Sequence, residues 1–103
     1  MDRLAMLKQF LEENPNDAFA RYGLAMEYAK AGQLDRALAE YNTLLKIHPD
    51  YTAGYFMAAQ ALAGAGREEE ACQYLRNGIQ AAERTGNAHA KSEMHAMLDE
   101  LSR

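Results

Sequence analysis

The feature that most constrains this chain of 103 residues is a recurrence at an interval of 34 residues. The stretch AGQLDRAL begins at Ala31 and AGREEEAC begins at Ala65, and the two prolines, Pro15 and Pro49, are separated by the same interval. A recurrence of this kind arises from chance, from a duplication without structural meaning, or from one structural unit that is used twice. Intervals of 20–50 residues are typical of helical repeat arrays.

Alignment of the chain on itself at this interval pairs small residues with small ones and large residues with large ones. The pairs are Ala25 with Ala59, Ala29 with Ala63, Gly32 with Gly66, Ala37 with Ala71, Tyr22 with Phe56, Tyr28 with Leu62, Tyr41 with Leu75 and Leu45 with Ile79. Small residues are needed where two helices approach closely, and large ones where space must be filled. The pairing therefore favours a structural unit over chance.

Each unit has the signals of two helices joined by a tight turn. Asp17 and Asp50 are each placed to cap a first helix, which then ends at Gly32 or Gly66. A second apolar stripe follows at helical spacing, and Pro49 closes the first unit. The sequence has no valine, two isoleucines and three threonines, so residues that favour strands are scarce. We predict six helices, with turns near 14–16, 32–33, 49, 64–66 and 86.

The residues at these positions resemble the tetratricopeptide repeat. With Ala18 as its first position, the family pattern falls on Arg21, Leu24, Ala25, Tyr28, Gly32, Ala37, Tyr41, Leu44 and Pro49. With Thr52 as its first position, it falls on Tyr55, Ala58, Ala59, Leu62, Gly66, Ala71, Leu75, Gly78 and Glu83. Arg21 stands where an aromatic residue is usual in the family, Gly78 where alanine is usual, and Glu83 where proline is usual.

The resemblance implies an all-α fold, a short right-handed α-solenoid of antiparallel helix pairs. We expect a single domain over residues 1–103, with a half repeat at 1–14, repeats at 18–51 and 52–85, and a capping helix at 87–102. The half repeat mirrors a second helix, with an inward stripe of Leu4, Leu7, Phe10 and Leu11. Asn87 is expected to cap the last helix after a one-residue insertion.

The first helix of the repeat at 18–51 carries more apolar surface than its core stripe requires. Its residues Phe19, Tyr22 and Met26 lie on a neighbouring face. In the family such positions line a concave groove that receives peptides. The resemblance therefore predicts a groove for a protein or peptide partner, and its expected residues are Phe19, Tyr22, Met26, Lys30, Phe56, Gln60, Lys91 and His95. Chaperone-docking members hold a carboxylate with lysine and asparagine; Tyr22 and Met26 replace them here, which favours an apolar ligand.

Three alternatives to an open groove remain at this point. The flanking helices would cover the apolar stripe if it belongs to the core. The same stripe, or an incompletely capped end, would seal a homo-oligomer if the chain associates with itself. The chain would otherwise be a subunit or regulator of an enzyme complex.

The chemistry-bearing residues predict neither an enzyme nor a cofactor. No phosphate-binding loop, nucleophile elbow or Cys/His cluster occurs in the sequence. Cys72 replaces an inward leucine and is expected to be a buried thiol, and His89 with Glu93 is expected to be an exposed pair. The net charge of -4 disfavours nucleic acid, the apolar run at 51–66 is too short to span a membrane, and a single cysteine suits a cytoplasmic location.

Overall fold

A computed structural model describes residues 2–103, which form six α-helices and no β-strand. The helices are α1 (Arg3–Glu13), α2 (Ala18–Lys30), α3 (Leu34–Ile47), α4 (Thr52–Gly64), α5 (Glu68–Thr85) and α6 (Ala88–Leu101). The predicted all-α class and the six helices are confirmed. The chain divides into two compact units, the N-terminal unit ending at His48 and the C-terminal unit from Pro49 to Arg103. The division into repeats at 18–51 and 52–85 stays a prediction.

Two of the three predicted N-caps are present. The backbone N–H of Ala20 donates to the Asp17 carboxylate at 3.4 Å, and that of Ala90 donates to the Asn87 side chain at 3.0 Å. Each bond satisfies one of the backbone donors that the first turn of a helix leaves without an intrahelical partner. The starts of α2 and α6 are therefore set by local sequence.

The prediction that Asp50 caps α4 is wrong. The N-cap residue of α4 is Tyr51, and no side chain caps this helix. Asp50 instead accepts a hydrogen bond from Nε of Arg84 at 3.0 Å, and Arg84 also donates to the Pro49 carbonyl at 3.2 Å. The guanidinium binds both acceptors from the end of α5, so Asp50 contributes to packing between helices instead of to the start of its own.

The doubled Ala-Gly stretch forms the turn between the paired helices. Gly32 and Gly66 have φ of 76° and 80°, the left-handed region that glycine enters at little steric cost. The N–H of the residue after each glycine donates to a carbonyl of the preceding helix. Gln33 donates to the Tyr28 carbonyl at 2.9 Å, and Arg67 donates to the Leu62 carbonyl at 2.9 Å. This is the C-terminal helix cap that the sequence predicted.

The core of the N-terminal unit lies between α2 and α3. Its largest members are Leu24 and Tyr28 of α2 and Tyr41 and Leu44 of α3, all at most 5% exposed. Full burial of each such side chain contributes about 1.5–3 kcal/mol before entropy is subtracted. Burial also raises the pKa of the Tyr41 phenol, and the nearby Tyr22 adds to the shift.

The helix α1 packs antiparallel on α2. Nε of Arg3 lies 2.9 Å from the Glu27 carboxylate, and Leu7 lies over Gly23, where an added Cβ would be 3.5 Å from its side chain. One turn further on, Leu11 is buried. Phe10 departs from the predicted inward stripe, because it is 46% exposed.

In the C-terminal unit, α5 packs between α4 and α6, and α4 also contacts α6. The tightest approach is at Gly78 of α5. A Cβ at this residue would lie 2.5 Å from the Met94 sulfur of α6 and 2.7 Å from Cβ of Tyr55 of α4. Glycine therefore replaces the usual alanine because two side chains from two helices meet the α5 backbone here.

Ala37 tests the helix contact within the N-terminal unit. Ala37 is 0% exposed, so a larger side chain has no free space. We expect Ala37→Leu to lower the free energy of unfolding by about 1–3 kcal/mol through overpacking. Urea unfolding followed by circular dichroism measures the change, and Ala39→Leu, at an exposed position of the same helix, is the control. Equal stability of the Ala37 variant and the parent would show that the helices do not pack closely there.

Candidate functional site

The apolar face of α2 is partly open to solvent. Phe19 is 74% exposed, while Tyr22 and Met26 are half-buried and Lys30 is exposed. These residues follow one another at intervals of three or four and so share one side of the helix, beside the core stripe. Exposure of this phenylalanine leaves unused the contribution of about 1.5–3 kcal/mol that full burial of such a side chain makes. Phe19 therefore offers an apolar contact that the core of its own unit does not use.

The polar side chains around this face are engaged with one another. The Glu27 carboxylate lies 2.9 Å from Nε of Arg3 and 3.9 Å from Nζ of Lys30. Lys30 is 74% exposed, so its ammonium group stays largely hydrated. Exposed pairs of this kind contribute little to stability, so Lys30 remains able to contact a ligand at small cost.

A cleft lies between α4 and α6 in the C-terminal unit. We call it the α4–α6 cleft, and it has a volume of about 230 Å³. Its lining residues are Thr52, Ala53, Phe56, Asn87, His89, Ala90, Glu93 and Met94. Phe56 is half-buried and Met94 is 1% exposed, so the cleft is apolar at its base.

A contact between a histidine and a carboxylate lies along one side of the α4–α6 cleft. Nε2 of His89 is 3.1 Å from a carboxylate oxygen of Glu93, one helical turn away. Both side chains are at least half exposed, which agrees with the exposed pair predicted from the sequence. Within residues 2–103, no group of three or more His, Cys, Asp or Glu side chains is arranged to hold a metal ion. The cleft can thus accept an apolar group at its base and polar contacts at its edge.

The predicted residues of the C-terminal unit are not all brought together. Phe56 lines the α4–α6 cleft, whereas Gln60 of α4 and His95 of α6 are exposed and do not line it. Lys91 forms an ion pair with Glu83 of α5 at 3.0 Å. Of the four predicted residues of this unit, Phe56 alone lines the cleft, and the role of all four in binding a partner stays a prediction.

The start of α6 also differs from the sequence prediction. The N-cap residues of the three first-type helices are Asp17, Tyr51 and Asn87, so the second interval is longer than the first by two residues. The predicted insertion of one residue is wrong. A change of one residue rotates a helix position by about 100°, and the residues at the α6 side of the cleft are Asn87, His89, Ala90, Glu93 and Met94.

The other titratable candidates have structural surroundings. Cys72 is 7% exposed, which confirms a buried thiol. Nε2 of His48 lies 2.7 Å from the Asn16 carbonyl, a contact that joins the end of α3 to the turn before α2. Neither arrangement places a base beside a nucleophile, which acyl transfer and related chemistry require.

Paired antiparallel helices that recur at 34 residues define a helical repeat protein. Comparison with known proteins specifies the class further: a model of the tetratricopeptide repeat matches residues 4–54. A TPR repeat-containing protein of Pseudomonas aeruginosa is 30% identical over 97 residues, which cover 94% of this chain and 92% of that protein. The chain belongs to the tetratricopeptide repeat family.

Solved structures agree with this assignment. The crystal structure of a tetratricopeptide repeat domain protein from Salinibacter ruber is 29% identical, with a TM-score of 0.73 over 84% of this chain and 96% of that one. The solution structure of a protein from Bordetella parapertussis is 25% identical, with a TM-score of 0.83 over 100% of this chain and 90% of that one. Within residues 2–103, no helix has the length and apolar character needed to cross a membrane.

Proposed function

We propose that this protein is a non-enzymatic interaction module that binds an apolar side chain of a peptide or protein segment in the α4–α6 cleft. The observation that carries the proposal is Phe56, a half-buried aromatic side chain that lines an open apolar cleft. Family membership supports it, because tetratricopeptide repeats generally mediate protein–protein interaction. We further propose a cytoplasmic location, which a single cysteine and the absence of any disulfide partner favour.

The size of the cleft favours a side chain over a small-molecule ligand. Pockets for drug-sized ligands occupy about 300–1,000 Å³, and this cleft has about 230 Å³. An aliphatic or aromatic side chain in a peptide fits that volume, while the rest of the peptide would lie along the surface. Aromatic residues are effective anchors in such contacts because they bury a large area and lose few rotamers.

The polar side of the cleft supports a directional contact with the peptide. The carboxylate of Glu93 supplies a hydrogen-bond acceptor beside an apolar base, and Asn87, whose side-chain oxygen caps α6, supplies its amide N–H groups as donors. Glu93 is already near His89, so a ligand N–H or ammonium group competes with an exposed imidazole and not with a buried partner. We propose that these groups orient the bound segment, whereas Phe56 supplies most of the affinity.

Selection from a displayed library of random peptides tests the proposal. We expect the purified protein to enrich peptides with one large apolar residue, and Phe56→Ala to weaken the binding of a selected peptide about 30-fold or more. Fluorescence anisotropy measures that Kd. Ile47→Ala is the matched control, because Ile47 is an apolar residue of α3 that is 39% exposed and lies outside the cleft.

A second variant separates lost binding from lost folding. Ala53 is exposed and lines the cleft near the start of α4, so Ala53→Glu adds charge and volume without removing a core contact. A carboxylate there also suits the positive end of the helix. We expect unchanged unfolding and lost peptide binding. Peptides that bind Ala53→Glu and Phe56→Ala as tightly as the parent would contradict the proposal.

A further inference from the structure

The helix α1 presents a stripe of residues that its own unit leaves largely exposed. The stripe consists of Arg3, Met6, Phe10 and Glu13, which lie at i, i+3, i+7 and i+10 and share one face. Met6 is 57% exposed and Phe10 is 46% exposed, whereas Leu11 on the other face is buried. We call this set the α1 stripe. It contains two of the four large hydrophobic side chains that stand out as exposed in the described residues 2–103.

The charges of the α1 stripe are placed against the stability of the isolated helix. Arg3 is the first residue of α1 and Glu13 is the last, while the first turn has no acidic residue and the last turn no basic one. A helix prefers the opposite arrangement because its N-terminus is positive and its C-terminus negative. The Glu27 carboxylate compensates part of the positive charge of Arg3, but the Arg3 side chain remains 65% exposed. The position of Glu13 has no explanation within the helix.

We propose that the α1 stripe binds the same stripe of a second copy of this chain, with the two helices antiparallel. A two-fold axis that passes between Met6 and Phe10 brings each Met6 against Phe10 of the second copy. The same axis brings each Arg3 beside Glu13 of the second copy. The stripe is therefore self-complementary, as an interface with two-fold symmetry requires.

The chemistry of each contact favours this arrangement over a parallel one. Methionine sulfur packs favourably at the edge of an aromatic ring, and an arginine beside a carboxylate makes charge-assisted hydrogen bonds. Antiparallel pairing also sets the positive end of one helix against the negative end of the other. A parallel pair would place Arg3 against Arg3 and Glu13 against Glu13, which like-charge repulsion disfavours.

The small size of the stripe determines the strength of the dimer. Stable interfaces bury about 1,200–2,000 Å² in total, and α1 has only 11 residues, of which one face is available. The dimer is accordingly weak and reversible. This proposal is independent of the peptide site, because the stripe lies on α1 and Phe56 lies on α4.

Sedimentation equilibrium of the full chain, from micromolar to millimolar concentration, tests the dimer. We expect a reversible monomer–dimer equilibrium in the parent. Phe10→Ala should raise the dissociation constant about tenfold, and Ile47→Ala should leave it unchanged. Phe56→Ala should also leave it unchanged. A parent that stays monomeric throughout, or a dimer that is insensitive to Phe10→Ala, overturns the proposal.

A charge exchange tests the pairing itself. Glu13→Arg should weaken the dimer about tenfold, because it sets two cations beside each other, and the further change Arg3→Glu should restore most of the affinity. Circular dichroism checks that both variants keep their helices, since a glutamate at position 3 also faces Glu27. Restored association would support the pairing, because a purely structural effect of Arg3→Glu cannot restore it, and a double variant that keeps its helices yet remains as weak as Glu13→Arg overturns the antiparallel pairing.

Discussion

Met94→Ala is expected to lower the free energy of unfolding by about 2–5 kcal/mol, the cost of emptying a well-packed core position. Met94 is 1% exposed and lies on α6, where its sulfur packs against α5 at Gly78. Within the described residues 2–103, Met94 is the only buried residue of α6, so the variant has no buried side chain from this helix. Urea unfolding followed by circular dichroism measures the loss. Met97→Ala, on the same helix but half-buried, should cost about 1 kcal/mol.

The contact between Met94 and Gly78 makes the two positions interdependent. Gly78→Ala alone should destabilise, because its Cβ would overlap the Met94 sulfur and Cβ of Tyr55, and the gain of about 1 kcal/mol in helix propensity does not offset that. In the Met94→Ala background the same change should cost less, because one of its two overlaps is gone. Gly64→Ala is the control, since nothing lies within 4 Å of its added Cβ. Additive losses at the two positions would show that α6 does not dock on α5 through this contact.

The parts of the fold that sequence predicted are those with local causes. A glycine with positive φ, such as Gly32 or Gly66, ends a helix when the N–H of the next residue donates to a carbonyl of that helix. Asp17 caps a helix by accepting a hydrogen bond from Ala20, only three residues further along the chain. Asp50 failed as a cap because a distant residue competes for it. The guanidinium of Arg84 binds its carboxylate, and nothing near Asp50 in the sequence predicts that bond.

The candidate site could be predicted only where the repeat interval holds. Phe56 pairs with Tyr22 at 34 residues, and Phe56 does line the α4–α6 cleft. The α6 side of the cleft depends on the length of α5, which has 18 residues where α3 has 14. The interval from the N-cap of α4 to that of α6 is two residues longer than 34, and the cleft-lining residues of α6 include His89 and not His95. Because the 34-residue interval does not extend to α6, comparison of the repeats did not predict which face of α6 lines the cleft.

Glu40→Ala is expected to lower the free energy of unfolding by about 2–4 kcal/mol, somewhat less than the cost of breaking a fully buried ion pair. Nη1 of Arg21 lies 2.6 Å from the Glu40 carboxylate, and the two side chains are only 16% and 23% exposed. Nη2 donates to the Pro15 carbonyl at 3.0 Å, while the buried Nε has no hydrogen-bond partner. Loss of Glu40 therefore leaves a poorly solvated cation between α2 and α3.

The exposed pair Arg67–Glu70 provides the matched control. Its atoms are also 2.6 Å apart, but its side chains are 42% and 53% exposed. Water then solvates either partner alone, so Glu70→Ala should cost about 1 kcal/mol or less. Urea unfolding of both variants in the same buffer measures the difference. Equal losses would show that burial does not strengthen the Arg21–Glu40 pair.

Replacement of both charges tests why arginine stands where the family usually has an aromatic residue. If the pair mainly fills space between α2 and α3, Arg21→Leu combined with Glu40→Leu should leave the unfolding free energy within about 1 kcal/mol of the parent or raise it. Apolar side chains need no hydrogen bonds, so the unsatisfied Nε no longer carries a penalty. A double variant that loses as much stability as Glu40→Ala would instead show that the hydrogen bond to Pro15 and the ion pair hold this helix pair together, and that arginine is required at the position.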